Sequence, residues 1–398
     1  MVIPEARSLA SRASPRAQPS MRIGIDATAL PPQRTGVANY LYGLLRGLAR
    51  VDDETRYVVF AQPSHITQFG IDRPNFQFEA VDLSRRGLRL AWEQAGLPRR
   101  IRAHGLDVLH SPHYTMPFRH PAGSVVTFCD MTFILHPELH EAVKRVFFPA
   151  MMRWSARHAD HLITISESTR DDLVRLWRVA PERVTAVPLA AGSEYEPASP
   201  AAIAAACAQY GLRADAYALY VGVLEPRKNV DGLITAFGRV APRVPGLDLV
   251  IAGKRGWMYD RIFAQVKALG LTDRVRFIGY VTQEHLPGLY GGARLFVYPS
   301  RYEGFGLPVL EAMHCGVPVI TTNVSAMPEV AGDGALLVGP DDIPGLADAL
   351  LRVLGDTSFA HGLARRGRER AAGFSWERCA LDTRRVYEQV VARRRGAR

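Results

Sequence analysis

Short apolar runs rich in Val, Ile and Leu return along the whole chain, separated by longer stretches in which apolar residues fall at helical spacing. That alternation is the signature of strand–helix–strand units, which build parallel sheets with a helix in each crossover. The earlier series comprises RIGIDAT (22–28), RYVVFAQ (56–62), FQFEAV (76–81), DVLHS (107–111), SVVTFCD (124–130), HLITIS (161–166) and RVTAVPL (183–189). The later series comprises YALYVGV (217–223), LDLVIAG (247–253), VRFIGYV (275–281), RLFVYPS (294–300), PVITT (318–322) and ALLVG (335–339). Most runs stay apolar instead of alternating with polar residues, as strands covered on both faces require. At 398 residues the chain is too long for one ordinary core, so the two series predict two doubly wound domains.

The stretch AAGSEYEPASPAA (190–202), rich in Ala, Gly, Pro and Ser, is the linker candidate, and the boundary is placed near Glu194. The expected units are a first domain over 21–193, a second over 194–373, and a C-terminal helix over 374–398 that packs back toward the first domain. Residues 1–20 carry Arg7, Arg12 and Arg16 without an apolar segment, which predicts a disordered lead-in and no secretory signal. No apolar run reaches the roughly 18 to 20 residues that span a bilayer. Cys129, Cys207, Cys315 and Cys379 lie far apart with no metal-ligand spacing, and predict reduced thiols in a cytoplasmic protein. The net charge of +10 suits a nucleic acid, an anionic membrane face, a phosphorylated substrate or a plain solvated surface, and does not choose among them.

Two such domains imply a cleft between facing strand ends, where ligands bind. Three segments belong there. In PSRYEGFGLPVLEAMHCG (299–316), Glu303 and Glu311 flank Gly304, Gly306 and Pro308. The glycines predict a positive-φ turn whose N–H groups point one way, Pro308 suits the first turn of a helix, and Gly316 suits its end. The result is an anion site at a helix N-terminus with a carboxylate before it and another one turn inside. In VGVLEPRKNVDGLITAF (221–237), Arg227 and Lys228 precede a helix for which Asn229 is the expected N-cap, a geometry for a diphosphate. In PPQRTGVANY (31–40), Thr35 and Gly36 open a helix carrying Val37, Tyr40, Leu41, Leu44 and Leu45. Its glycine loop is expected to face Arg227 and Lys228.

The order TGVANY, CDMTFILHPE, ITISESTRDDL, GVLEPRKN and YEGFGLPVLEAMHCGVPV resembles the retaining glycosyltransferases of the glycogen-synthase-like superfamily, group 1 or family 4. Within that superfamily it is most similar to the bacterial polysaccharide mannosyltransferases. The resemblance covers nearly everything from Met21 onward. It implies an α/β GT-B fold, two Rossmann-like domains facing a cleft, and transfer of a hexose from a nucleotide-diphosphate sugar, GDP-mannose first, to a glycan or lipid-linked glycan acceptor in cell-surface polysaccharide synthesis. UDP- and dTDP-sugars stay open.

By the same resemblance Glu303 contacts the donor sugar near the reacting carbon, and Glu311 accepts hydrogen bonds from the ribose. The backbone of Phe305, Gly306 and Leu307 holds sugar and phosphate oxygens. Arg227 and Lys228 neutralise the departing diphosphate, and Gly36 lets the first domain approach it. Gly222, Lys254, Gly279 and Tyr280 are carried over as donor-binding, with the nucleobase near FIGYV (277–281) and Arg255 close by. Fixed cations and helix N–H groups aimed at a leaving diphosphate lower its barrier, one donor being worth about 3 kcal/mol. No Asp-x-Asp motif accompanies these segments, so neither metal nor cofactor is expected. Retention is expected by attack from the leaving-group face, with the diphosphate taking the acceptor proton, and not by the paired carboxylates of hydrolases.

One position departs from the family. Cys129 precedes Asp130 where relatives carry His–Asp, and a thiol donates poorly and carries no positive charge. Asp130, His136 or His113 is then expected to take the role, or catalysis is weakened. The basic stretches RRGLR (85–89) and RRIR (99–102), with Lys144, Arg145, Arg153 and Arg157, suggest a peripheral contact with an anionic inner-membrane face. A nucleotide-sugar 2-epimerase shares the two-domain plan but not GVLEPRKN as its signature. A donor-binding protein that has lost catalysis rests on Cys129 alone. A nucleic-acid binder explains the charge and neither glutamate.

Overall fold

The computed structural model describes residues 21–31, 36–83, 88–139, 142–256 and 260–396. Residues 1–20, Thr35, Arg85 and Arg86 lie outside the described residues, as do the side chains of Lys144 and Arg145.

The earlier apolar series forms β1 (Arg22–Asp26), β2 (Arg56–Ala61), β3 (Phe76–Ala80), β4 (Val108–Ser111), β5 (Gly123–Phe128), β6 (His161–Thr164) and β7 (Val184–Ala186). They pair in parallel in the order β3-β2-β1-β4-β5-β6-β7. The later series forms β8 (Tyr217–Val221), β9 (Asp248–Ala252), β10 (Val275–Gly279), β11 (Leu295–Tyr298), β12 (Val319–Thr322) and β13 (Ala335–Val338), again parallel, in the order β10-β9-β8-β11-β12-β13. Every expected run but one contains its strand, β5 starting a residue early at Gly123, and most strands stop one to three residues short of the run's end. There the chain leaves the sheet, so Cys129 and Asp130 follow β5, and Pro299 and Ser300 follow β11.

Strand order reverses between β1 and β4 in one sheet and between β8 and β11 in the other. These reversals open the crevices into which loops at the strand ends project. Both sheets are covered on two faces, which is why Ile23, Ile25, Val125, Leu249, Phe296 and Ile320 are fully buried.

The C-terminal helix, Trp376–Gly396, leaves the second domain and lies along the first. Its Trp376 ring fills the space over Gly43 of the helix Gly36–Val51, where an added Cβ would sit 2.1 Å from the indole. Further on, His110 Nδ1 and Tyr387 Oη share a hydrogen bond of 2.7 Å, and Arg394 Nη1 meets Asp160 Oδ2 at 3.0 Å. Among the described residues no helix is long and apolar enough to cross a membrane.

Candidate active site

A cleft of about 400 Å³ separates the two sheets, and its floor is a knot of buried charge. After β8 the chain makes a tight turn over Pro226–Lys228 that aims two cations at the loop after β11. Lys228 Nζ donates to Glu303 Oε1 at 2.5 Å, and Arg227 Nη1 donates to Glu303 Oε2 at 2.8 Å. Arg227 also binds Glu225 Oε1 through Nη2 at 2.7 Å and the Tyr302 carbonyl through Nη1 at 2.8 Å. Tyr298 Oη accepts from Lys228 Nζ at 2.6 Å and donates to Glu303 Oε1 at 3.0 Å.

Burial by itself would raise the Glu303 carboxyl, but Arg227 and Lys228 outweigh it and hold the group at about 2. Burial and the neighbouring Arg227 lower the Lys228 ammonium, partly offset by Glu303 and Glu225. The knot therefore presents an ionised carboxylate between two fixed cations, out of water, at one point of the cleft.

The turn is held differently from the expectation that Asn229 caps the next helix. Asn229 sits in the left-handed region (φ 56°) with no side-chain cap. Its amide instead donates to the carbonyls of Pro299 at 3.1 Å and Pro340 at 2.6 Å, tying three loops together. The helix Val230–Val240 follows directly.

Gly306 has φ 109° and precedes the helix Leu307–His314, with Pro308 in its first turn and Gly316 (φ 74°) beyond its end. Gly304 corrects the expectation of a second positive φ. Its backbone is ordinary, and a Cβ there would lie 1.7 Å from the Cys129 carbonyl oxygen. It is a point of contact between domains. Glu311, one turn into the helix, is buried and accepts from Tyr290 Oη at 3.0 Å.

The cleft gathers Gly36, Cys129, Asp130, Gly222, Arg227, Lys228, Lys254, Tyr280, Glu303, Phe305, Gly306, Leu307 and Glu311 along its walls. Gly279 is not among them. It turns at φ 73°, and its carbonyl accepts from Gly253 N at 2.7 Å, so it shapes the wall from behind. Arg255 likewise stays off the wall, its guanidinium 5.1 Å from the Phe263 ring centre.

Cys129 is buried, and burial pushes its thiol far up, so it behaves as a neutral apolar group. The Asp130 carboxylate accepts from Thr132 N at 3.1 Å and Thr132 Oγ1 at 2.7 Å. Neither His113 nor His136 lines the cleft. Burial lowers His113 to about 4, and His136 stands against the Tyr302 ring, 5.6 Å between centres. Arg89 turns inward onto the buried Glu93 at 3.1 Å, which removes it from the expected basic surface.

Sequence reasoning passed over Glu225, Tyr298 and the pair Tyr195–Gln283, whose side chains meet on the cleft wall at 2.9 Å. A hydroxyl inside the buried run RLFVYPS was the available signal for Tyr298, because buried tyrosines need a partner.

Two family models match the chain: Glycosyltransferase Family 4 over residues 34–191 and Glycosyl transferases group 1 over residues 208–370. The O-antigen chain mannosyltransferase B of Escherichia coli is 34% identical over 89% of this chain and 96% of its own length. The chain belongs to the group 1 glycosyltransferases. Glycogen synthase of Mycobacterium tuberculosis is 30% identical over 87% of this glycosyltransferase and 83% of its own length. The sucrose-phosphate synthase structure from Thermosynechococcus elongatus superposes with a TM-score of 0.75 at 24% identity, covering 94% of this chain and 99% of that one. The fold of this glycosyltransferase is GT-B, with two Rossmann-like domains.

Proposed function

We propose that this glycosyltransferase moves mannose from GDP-mannose, with retention of configuration, to a glycan or lipid-linked glycan in cell-surface polysaccharide synthesis. The observation that carries the reading is the knot of Arg227, Lys228 and Glu303 beside the Gly306 helix start, with Gly36 on the same cleft. Cations and N–H groups fixed around one point suit a diphosphate that gains charge as its bond to the sugar breaks. Arg227 and Lys228 supply that neutralisation without a divalent metal. Glu303 holds the sugar near its reacting carbon, Glu311 binds the ribose, and Phe305, Gly306 and Leu307 hold the phosphate and sugar oxygens. Gly222, Lys254 and Tyr280 contact the nucleotide. As the bond from the anomeric carbon to phosphate breaks, the acceptor oxygen bonds that carbon from the same face and its proton passes to the diphosphate. The name of the Escherichia coli relative supports mannose. Asp130 serves in place of the histidine that Cys129 replaces.

Thermal unfolding with millimolar GDP, UDP, ADP and dTDP tests the donor. A ligand at a hundred times its dissociation constant adds about 2.7 kcal/mol, a shift of several degrees. The expected result is a shift with GDP alone, absent in Lys228→Ala. A shift with another nucleotide overturns the donor, and no shift with any overturns the working donor site.

The acceptor side carries the membrane contact in this reading, on the cytoplasmic face. Exposed Arg99, Arg102, Arg153 and Arg157 share the first domain with the exposed apolar residues Leu88, Leu90 and Phe118. Cosedimentation with phosphatidylglycerol vesicles is expected for the wild type and lost in Arg153→Glu/Arg157→Glu. Equal binding by both, or by neither, ends the idea.

A further inference from the structure

The segment carrying Glu303 is held from both domains. Within its own domain Glu303 is fixed by Arg227, Lys228 and Tyr298, while its neighbours in sequence reach across the cleft. Tyr302 Oη donates to Asp172 Oδ2 at 2.9 Å and accepts from Met131 N at 3.3 Å. The Gly304 carbonyl accepts from Thr169 Oγ1 at 3.4 Å. Thr169 and Asp172 both belong to the helix Glu167–Trp177 of the first domain.

The start of that helix meets the second domain once more. Glu329, on the helix Met327–Ala331, accepts from Glu167 N through Oε1 at 3.0 Å and from Ser168 N through Oε2 at 3.2 Å. These are leading N–H groups that the helix cannot satisfy itself, and they sit at its positive end. The helix already has a cap of its own, since Ser166 Oγ accepts from Thr169 N at 3.0 Å. Glu329 therefore adds a link between domains to a helix that is locally complete.

Glu329 is also braced from behind. Arg370 donates to the Glu329 carbonyl at 2.5 Å and to the Val330 carbonyl at 3.2 Å, and its guanidinium lies 4.9 Å from the Phe374 ring centre. Phe374 in turn meets Phe305, two residues beyond Glu303, at 5.9 Å between rings. The backbone bearing Glu329 and the Glu303 segment thus belong to one packed unit that faces the helix Glu167–Trp177.

We infer that Glu329 is a positioning residue for the transfer. Docked on the first two N–H groups of the helix Glu167–Trp177, it holds the domains in the register at which Tyr302 and Gly304 fix the segment bearing Glu303. This rests on the role proposed for Glu303. The side chains assigned to the diphosphate and ribose, Arg227, Lys228 and Glu311, all belong to the second domain, and only the Gly36 loop approaches from the first, so nucleotide binding is largely separable from this docking.

The test places nitroxide labels at Asp171→Cys and His361→Cys, exposed positions on opposite domains, and reads their separation by pulsed electron resonance. The native cysteines are all buried. In Glu329→Ala a population at longer separation is expected, with kcat down at least tenfold and the affinity for GDP within twofold of wild type. Tyr302→Phe moves separation and kcat the same way, and Glu329→Gln, which keeps one acceptor oxygen, falls between Ala and wild type. Unchanged separations in Glu329→Ala and Tyr302→Phe overturn the inference, as does a loss of GDP affinity in step with kcat. If GDP binds no form of the protein, the proposed donor fails while the separations still decide the docking.

Discussion

Lys228→Ala is expected to lower kcat for sugar transfer by about 10²- to 10³-fold, the loss seen when one preorganised donor to a developing anion is removed. The ammonium is buried among Arg227, Tyr298 and Glu303, so it is already stripped of water and aimed before any donor arrives. Its removal deletes a charge that cannot be replaced by solvent without reorganisation during the reaction. Glu303 stays paired with Arg227 at 2.8 Å and bonded by Tyr298 at 3.0 Å, so the carboxylate is not orphaned. Steady-state kinetics on folded protein, with unfolding measured in parallel, separates loss of chemistry from loss of fold. A drop of less than tenfold would show that the diphosphate does not depend on this cation.

Gly304→Ala is expected to cost about 10²-fold in transfer, with nucleotide affinity nearly unchanged. An added methyl would lie 1.7 Å from the Cys129 carbonyl oxygen, and the obstacle is backbone, which no rotamer change relieves. Either the domains part or the loop carrying Glu303 retreats. A misplacement of about 1 Å in a positioned group is enough for a loss of that size. Transfer assays alongside GDP binding check it, and activity within threefold of wild type would mean the contact at Cys129 is incidental to catalysis.

Much of this was legible in the sequence because doubly wound sheets write themselves as long apolar runs. All the strands but β5, which starts a residue early, lie inside those runs, and their common shortfall at the C-terminal end marks where the chain turns into the cleft. The glycine loop between Glu303 and Glu311 was legible for a similar reason, since Gly306 and Pro308 announce a helix start locally. What escaped depends on partners distant in sequence. Gly304 looks like any turn glycine until Cys129 is placed above it. Asn229 reads as an ordinary cap, and only the positions of Pro299 and Pro340 show why its side chain turns away. Arg89 looks like surface charge until Glu93 is found buried beneath it. Tyr298 and Glu225 were hidden because a strand run and a loop each offer an apolar or polar explanation that needs no site. Glu329 carries no local signal, because its partners are backbone N–H groups 161 and 162 residues away.

The chain passes between domains twice, once through the linker and once where Phe374, packed on Phe305, gives way to Trp376, packed on Gly43. Ala190, Gly192, Tyr195 and Trp376 line one small cavity, so the two crossings stand side by side. A door hung at one point can swivel in any direction, but one hung at two swings about the line through them. The returning helix thus turns a loose tether into a second fixed point, and the line through the two sets the one axis about which Gly304 could part from Cys129.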